Sequence, residues 1–278
     1  MPVIQPGPDP LLELQWHLLD SGQAGAARAA LNVTPVWNSC EDASCRGEGV
    51  RIAVVDDGLE IGHPDLWPNI VPGASYNYLT GSLNPSPRAT GQDSHGTAVA
   101  GLAAARDFNS EGGRGVAPRA GLVGYNLLQN PTLANEADAM TRGRALMAIS
   151  TNSWGAPDGL GRLQPSNLSW RSAIETGLSE GRGGRGIVYT WAAGNGHWID
   201  TIDGQDFARD NANYDGRANY YGVLAIGAVD HRGIKARYSE EGANLWLVAP
   251  GGNGGCDNGL VTTDLSGAAG LNDGRRAG

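Results

Sequence analysis

Four short polar clusters in this 278-residue chain carry the residue types of acyl-transfer chemistry. Asp56-Asp57-Gly58 ends an apolar, largely β-branched run from Ile52 to Val55. Asp93-Ser-His95-Gly-Thr97 opens an alanine-rich segment, and Asn152-Ser-Trp-Gly155 and Ala192-Ala-Gly-Asn195-Gly196 follow. A carboxylate beside an imidazole fixes its tautomer and stabilises the imidazolium formed when the ring accepts a proton. An asparagine amide on a glycine-flanked loop can donate to a developing oxyanion. In the order Asp, His, Asn, these are the parts that acyl transfer needs, apart from the nucleophile. Plainer readings exist: Asp56 could cap the turn after its strand, and His17, His63, His197 and His231 read as structural histidines.

The elements that must position these groups follow from the apolar pattern. A buried strand over 51–55, stopped by Asp-Gly, puts Asp56 at its C-terminal end, where open α/β sheets hold their chemistry. The segment 98–106 is predicted to be helical, so His95 stands at a helix start, with its ring over that same edge. Further strands are expected at 122–127, 187–192, 223–229 and 245–249, and 149–154 starts apolar and turns polar. Helices are expected over 132–148 and 168–179, and a helix followed by a turn over 24–37. Residues 9–20 read as an ordered arm or short helix laid on the body. Strands alternating with helices give an α/β chain, a mostly parallel sheet with helices on both faces. No repeat or linker divides it, so residues 1–278 read as one domain. The glycine-rich run 181–186 precedes a strand, whereas a phosphate-binding loop must follow one.

Composition narrows the functional classes. The 43 glycines and 15 prolines lie between well-formed apolar runs, which indicates tight turns around a scaffold and not disorder. A net charge of −9 argues against nucleic acid and favours cationic ligands or metal ions. The basic clusters 182–185 and Arg275-Arg276 are short and read as solvated loops. No apolar run reaches membrane-spanning length, and no signal peptide is visible at the start. Of three cysteines, Cys40 and Cys45 are close enough to close a small loop, and Cys256 stands alone.

Taken together, the motifs resemble the subtilisin-like serine proteases, and most closely their kexin/furin (proprotein convertase) branch. The residues that carry the resemblance are Val54-Val-Asp56-Asp57-Gly-Leu-Glu60 with His63-Pro-Asp65-Leu66, and His95-Gly-Thr with Ala100-Gly101. Further on come Ser153-Trp-Gly155, Gly181-Arg-Gly-Gly184, Trp191-Ala-Ala-Gly-Asn195-Gly196, Tyr238-Ser-Glu240 and Val261-Thr-Thr-Asp-Leu265. The resemblance runs from Asp9 to Leu265. It implies a subtilisin-like three-layer fold in which Asp56 orients His95, His95 is the general base, and Asn195 supplies the oxyanion-hole amide. Ser153, Trp154 and Gly155 would line a channel that pairs with an extended peptide, and Asp57 would face substrate. The family cleaves after basic residues, with an acidic pocket that corresponds here to Asp215 and Asp158; Asp215-Gly216 alone also reads as a β-turn. Calcium (Ca2+) is implied twice, at Asp158, Asp210 and Glu240, and at Asp9, Asp65 and Asn109. Peptide or protein substrates with basic residues, the protein's own prosegment as a partner, and a secreted or cell-envelope location are further implications.

The sequence also departs from that pattern. The family's nucleophile lies in a Gly-Thr-Ser motif soon after the Thr-Thr-Asp-Leu stretch, and no Gly-Thr-Ser occurs here. Ser266 lacks the preceding Gly-Thr. The expectation is a catalytic domain cut before its serine, C-terminally incomplete and without a prosegment, so that the chain by itself is inactive. The alternative is a catalytically inactive calcium-bound peptide-binding or structural module on the same scaffold. Residues 160–164 carry no acid, which favours a single basic residue in the substrate over a pair; Glu136 or Asp138 could serve a more distal subsite.

Overall fold

The computed structural model describes residues 7–19, 29–88, 93–197, 201–202, 205–206, 209–253 and 259–270. Its centre is strand β1, Arg51–Asp56. Ile52, Val54 and Val55 are at most 5% exposed, as a strand covered on both faces requires. The others are β2 (Tyr76–Asn77), β3 (Gly121–Asn126), β4 (Ile149–Asn152), β5 (Val188–Ala192), the small antiparallel pair β6 (Thr201–Ile202) and β7 (Gln205–Asp206), β8 (Leu224–Val229) and β9 (Leu245–Pro250). Seven strands form one sheet in the order β2-β3-β1-β4-β5-β8-β9, and every neighbouring pair is parallel.

Parallel neighbours need crossovers. The helices are α1 (Thr34–Trp37), α2 (His95–Ala104), α3 (Leu133–Thr141) and α4 (Leu168–Gly184). One face of the sheet, carrying Ile52, Val54 and Leu122, packs on Ala100 and Ala104 of α2. The other face, with Val55, Tyr125, Tyr189 and Trp191, packs on Met140 of α3 and on Trp170 and Ile174 of α4. Because Val55 pairs with Asn152 and Asn152 with Trp191, all in parallel, the chain leaves β1, β4 and β5 at one edge. Asp56, Ser153 to Gly155 and Gly194-Asn195 therefore emerge side by side.

The α2 face is covered over only part of its width. Register carries it from Ile52 to Ile149, Val188, and onward through Leu224 and Ile226 to Leu247. Beyond β1 it opens to solvent among the described residues: Val188 is 43% exposed, and Leu247 on the edge strand β9 is 52% exposed.

Several expected boundaries move. The helix expected over 132–148 ends at Thr141, where Arg142 leaves helical geometry and Gly143 takes φ +65°, so 142–148 turn instead. The helix expected at 98–106 starts three residues earlier, at His95 itself. Of the helix expected within 24–37, only the turn Thr34–Trp37 forms among the described residues; 24–28 lie outside them. The run 181–186 ends α4 with Arg182 and Gly183 at positive φ and reverses the chain into β5. Cys40 and Cys45 form a disulfide, while Cys256, Arg275 and Arg276 lie outside the described residues.

Candidate active site

Asp56 is 1% exposed at the end of β1. Its two carboxylate oxygens lie 2.9 and 3.0 Å from Nδ1 of His95, the first residue of α2. The hydrogen bond to Asp56 raises the His95 pKa against the opposing effect of burial. With Nδ1–H donated to the carboxylate, Nε2 is left as the basic nitrogen, on a side chain that is 56% exposed. Gly96 makes the close approach possible: a Cβ there would sit 2.1 Å from the carbonyl oxygen of Gly58 and 2.8 Å from Cβ of Asp56.

Asp57 holds the helix start. Its Oδ2 accepts from the amide of His95 at 3.0 Å and its Oδ1 from that of Gly96 at 2.7 Å. These amides have no partner inside the helix, so a carboxylate from the strand end serves as cap. Burial, and then the neighbouring charge of Asp56, raise the pKa of Asp57 despite these bonds. The same helix carries a second support on its flank. Thr262 and Thr263 donate their hydroxyls to the carbonyls of Ala98 and Thr97, each at 2.6 Å.

Along the same edge, Ser153, Trp154 and Gly155 line a pocket with Asp158, Gly194, Asn195, Asp210, Asp215 and Glu240. Asp215 Oδ2 accepts from the Ala156 amide and Oδ1 from the Arg217 amide, both at 2.7 Å, which fixes the carboxylate. A Cβ on Gly155 would lie 2.6 Å from Asp215 Oδ2, so glycine keeps that oxygen reachable. Trp154 rests edge-on against Trp191, which meets Trp170, giving the wall a rigid aromatic footing. The backbone amide of Asn195 donates to Asp158 Oδ1 at 3.2 Å. Arg162, a cation within the acid-free run 160–164, also lines this pocket. Glu136, by contrast, is 6% exposed and paired with Arg217 at 2.8 Å, and Asp138 is bound by Tyr78 and Arg142. Both acids are already engaged within the protein.

Two groups of oxygen donors remain. In the first, one carboxylate oxygen from each of Asp158, Asp210 and Glu240 lies within 4.8 Å of the others. Burial first, and then repulsion from Asp210, Asp158 and Asp215, push the Glu240 pKa up to about 7. Glycines open the cradle: a Cβ on Gly194 would be 2.2 Å from Glu240, and one on Gly196 would be 2.4 Å from Asp210. In the second, Asp65 accepts from Asn109 Nδ2 at 2.8 Å and from the Gly113 amide at 3.1 Å. Burial raises the Asp65 pKa to about 7. Asp9 is neutralised by Arg114, whose Nε donates to it at 2.7 Å.

The family model for the Subtilase family (peptidase S8) matches residues 47–274. This chain belongs to the subtilase family. Curated relatives include the extracellular serine protease of Aeromonas sobria, 36% identical over 94% of this chain and 44% of its own length. Two from the kexin/furin branch are the furin-like protease 2 of Drosophila melanogaster, 32% identical over 94% of this chain and 15% of its own length, and the human neuroendocrine convertase 2, 33% identical over 93% of this chain and 40% of its own length. A crystal structure of the A. sobria serine protease superposes with a TM-score of 0.80 at 34% identity, covering 95% of this chain and 47% of that one. The same protease has been solved in complex with a chaperone, with a TM-score of 0.78 at 34% identity over 94% of this chain and 46% of that one. The chain thus spans less than half the length of these relatives. The all-parallel sheet with helices on both faces is the subtilisin-like α/β fold of these neighbours, and the family is one of serine proteases.

Within this subtilase domain the first acidic group fits a hard cation. Three carboxylates converge, they repel one another, and glycine leaves them room. The second group does not form a cation cage as it stands. Arg114 already serves as the cation on Asp9, and Asn109 turns an amide N–H, a donor, toward Asp65. Sequence reading did not single out Arg114, Arg217 or Gln15, because their partners lie 81 to 246 residues away.

Proposed function

We propose that this chain carries the Asp–His part of a serine endopeptidase site that hydrolyses peptide bonds after arginine or lysine. The observation that carries the reading is the pairing of the exposed His95 ring with buried Asp56 at a sheet edge shared with the substrate pocket. His95 Nε2 takes the proton of an attacking hydroxyl, and the imidazolium so formed is stabilised by the Asp56 carboxylate. Asn195, exposed at the same edge, offers its side-chain amide to the tetrahedral oxyanion. An extended peptide pairs with the backbone of Ser153 to Gly155. Its basic side chain enters the pocket toward Asp215, with Asp158 adding negative charge.

The nucleophile, in this reading, is a serine outside residues 1–278, on an element that docks over the open half of the α2 face. Parallel sheets are normally covered on both sides, and here, among the described residues, the apolar face through Val188 and Leu247 is not. Ca2+ would be held by Asp158, Asp210 and Glu240; bound there, it would supply positive charge that offsets the repulsion among them. Asp57 could still face substrate while it caps α2. By analogy with the extracellular, chaperone-associated A. sobria relative, we further propose secretion and a folding partner, the protein's own prosegment.

The test is a fluorogenic peptide with arginine before the scissile bond. A longer form that carries the proposed serine is expected to cleave it, and His95→Ala to abolish cleavage. The 278-residue chain alone is expected to give none. Failure of that longer form to cleave any basic peptide sinks the reading in favour of a non-catalytic module.

A further inference from the structure

We infer that Gln15 is a positioning residue for His95: with Trp16 it pins the segment 259–263 against the helix that carries this histidine. The inference rests on the reading of His95 as general base, but its physical content stands apart from it. Gln15 lies in the N-terminal arm and is 1% exposed. Its Nε2 donates to the carbonyl of Arg114 at 3.0 Å and to that of Val261 at 3.1 Å, and its Oε1 accepts from the Arg114 amide at 2.7 Å. A single buried amide thus joins the arm to two stretches of chain, 99 and 246 residues away in sequence. The 113–114 loop is shaped around it, since a Cβ on Gly113 would lie 2.7 Å from Gln15 Oε1. Beside it, Trp16 Nε1 donates to the Gly259 carbonyl at 3.0 Å.

From Val261 the chain passes directly to the catalytic helix. The next two residues, Thr262 and Thr263, donate to the carbonyls of Ala98 and Thr97 in the first turn of α2. The contact is close by construction: a Cβ on Gly101 would come within 2.3 Å of Thr263 Oγ1 and 2.5 Å of Thr262 Oγ1. His95 lies only two residues before Thr97, at the end of the helix that this segment braces. Asp57 holds the tip of the helix, and the arm, through Gln15, holds its side. Loss of the Gln15 amide strands the Arg114 amide and two carbonyls at once, and buried groups without partners are costly, so the segment would shift and release the helix flank.

Gln15→Leu keeps the bulk and removes all three hydrogen bonds. In hydrogen–deuterium exchange on the 278-residue chain, exchange over 94–104 and 259–270 is expected to rise about tenfold, with β1, β4 and β5 unchanged. In an NMR titration the His95 pKa is expected to fall toward the ordinary histidine value, as its bond to Asp56 loosens. The double variant Thr262→Val with Thr263→Val cuts only the last link, both hydroxyl bonds to α2, and should produce the same change over 94–104 while 9–18 stay protected; it decides the matter where Gln15→Leu does not fold. A uniform rise across the sheet, or loosening of 259–270 with 94–104 and the His95 titration as in the wild type, overturns the inference. If the wild-type longer form cleaves no peptide, the peptidase reading falls while these exchange and titration outcomes keep their meaning.

Discussion

His95 Nδ1 faces both oxygens of Asp56, at 2.9 and 3.0 Å, and the carboxylate it faces is almost wholly excluded from water. A charge so placed has little solvent to screen it, so the ring feels it strongly. Asp56→Asn is therefore expected to lower the His95 pKa, because the bond to Asp56 is the largest cause of its upward shift. In a longer form that carries the proposed serine, the same change should reduce kcat by about 10³–10⁴-fold with KM little altered. An unchanged His95 titration in Asp56→Asn would mean that the pair does not form in solution.

Asp57 makes a different prediction from its neighbour. Both of its oxygens cap the first amides of α2, so Asp57→Ala should cost about 1 kcal/mol of stability, within a range of roughly 0.5–2. Asp57→Asn keeps one acceptor and should cost less. Thermal melts of the two variants check this. A loss of peptide affinity with no change in melting would show that the side chain serves substrate and not the helix.

How much of this was legible in the sequence differs from residue to residue. Asp56 could be placed because an apolar β-branched run stopped by Asp-Gly has one plausible outcome, a buried strand ending at a turn. His95 could be placed because small residues after it allow a helix to start against the sheet. The double duty of the adjacent acids was not legible, since adjacency alone does not show which one meets a helix returning 38 or 39 residues later. Helix α3 is shorter than its sequence pattern suggests, because Arg142 and Leu146 continue the helical spacing while Gly143 at φ +65° breaks the helix. Gln15 was invisible for another reason. Its partners are backbone atoms of Arg114 and Val261, and a backbone partner leaves no mark on the sequence.

The pocket at Asp215 should respond to charge in both directions. Its carboxylate is held by two backbone amides and is reachable past Gly155. Asp215→Asn is expected to weaken binding of an arginine peptide by tenfold or more, on the scale of about 1.5–3 kcal/mol for a hydrogen bond between charged groups. Arg162, a cation on the same pocket wall, opposes a basic ligand, so Arg162→Ala should tighten it. Calorimetry with a short arginine peptide checks both. A rise in affinity for Asp215→Asn would rule out the carboxylate as the recognition group.

The cluster of Asp158, Asp210 and Glu240 predicts calcium-dependent stability. A cation that binds only the folded chain raises its melting temperature by mass action. Saturating Ca2+ should do so for the wild type, and Glu240→Gln should lose most of the increment while melting no lower than the wild type in EDTA. That second part follows from repulsion: Glu240 is pushed up to about 7 by burial and three neighbouring acids, so neutralising it removes a cost when the metal is absent. Differential scanning calorimetry in the two buffers reads both effects, and an equal calcium increment in wild type and variant would place the ion elsewhere.

His17 gives the N-terminal arm a sensitivity to acid. It is 3% exposed, neither ring nitrogen has a hydrogen-bond partner among the described residues, and burial pushes its pKa from 6.5 down to about 4. Between those values the unfolded chain binds the proton and the folded chain does not. Stability therefore falls as the pH drops below 6.5, and the loss is complete once the pH passes the folded value near 4. The full effect is on the order of 3 kcal/mol. His17→Phe keeps the ring, removes the proton site and should flatten this acid limb, with little change near neutrality. Urea unfolding of the two proteins at about pH 7.5 and about pH 4.5 measures the difference. If both lose the same stability on acidification, His17 does not carry it.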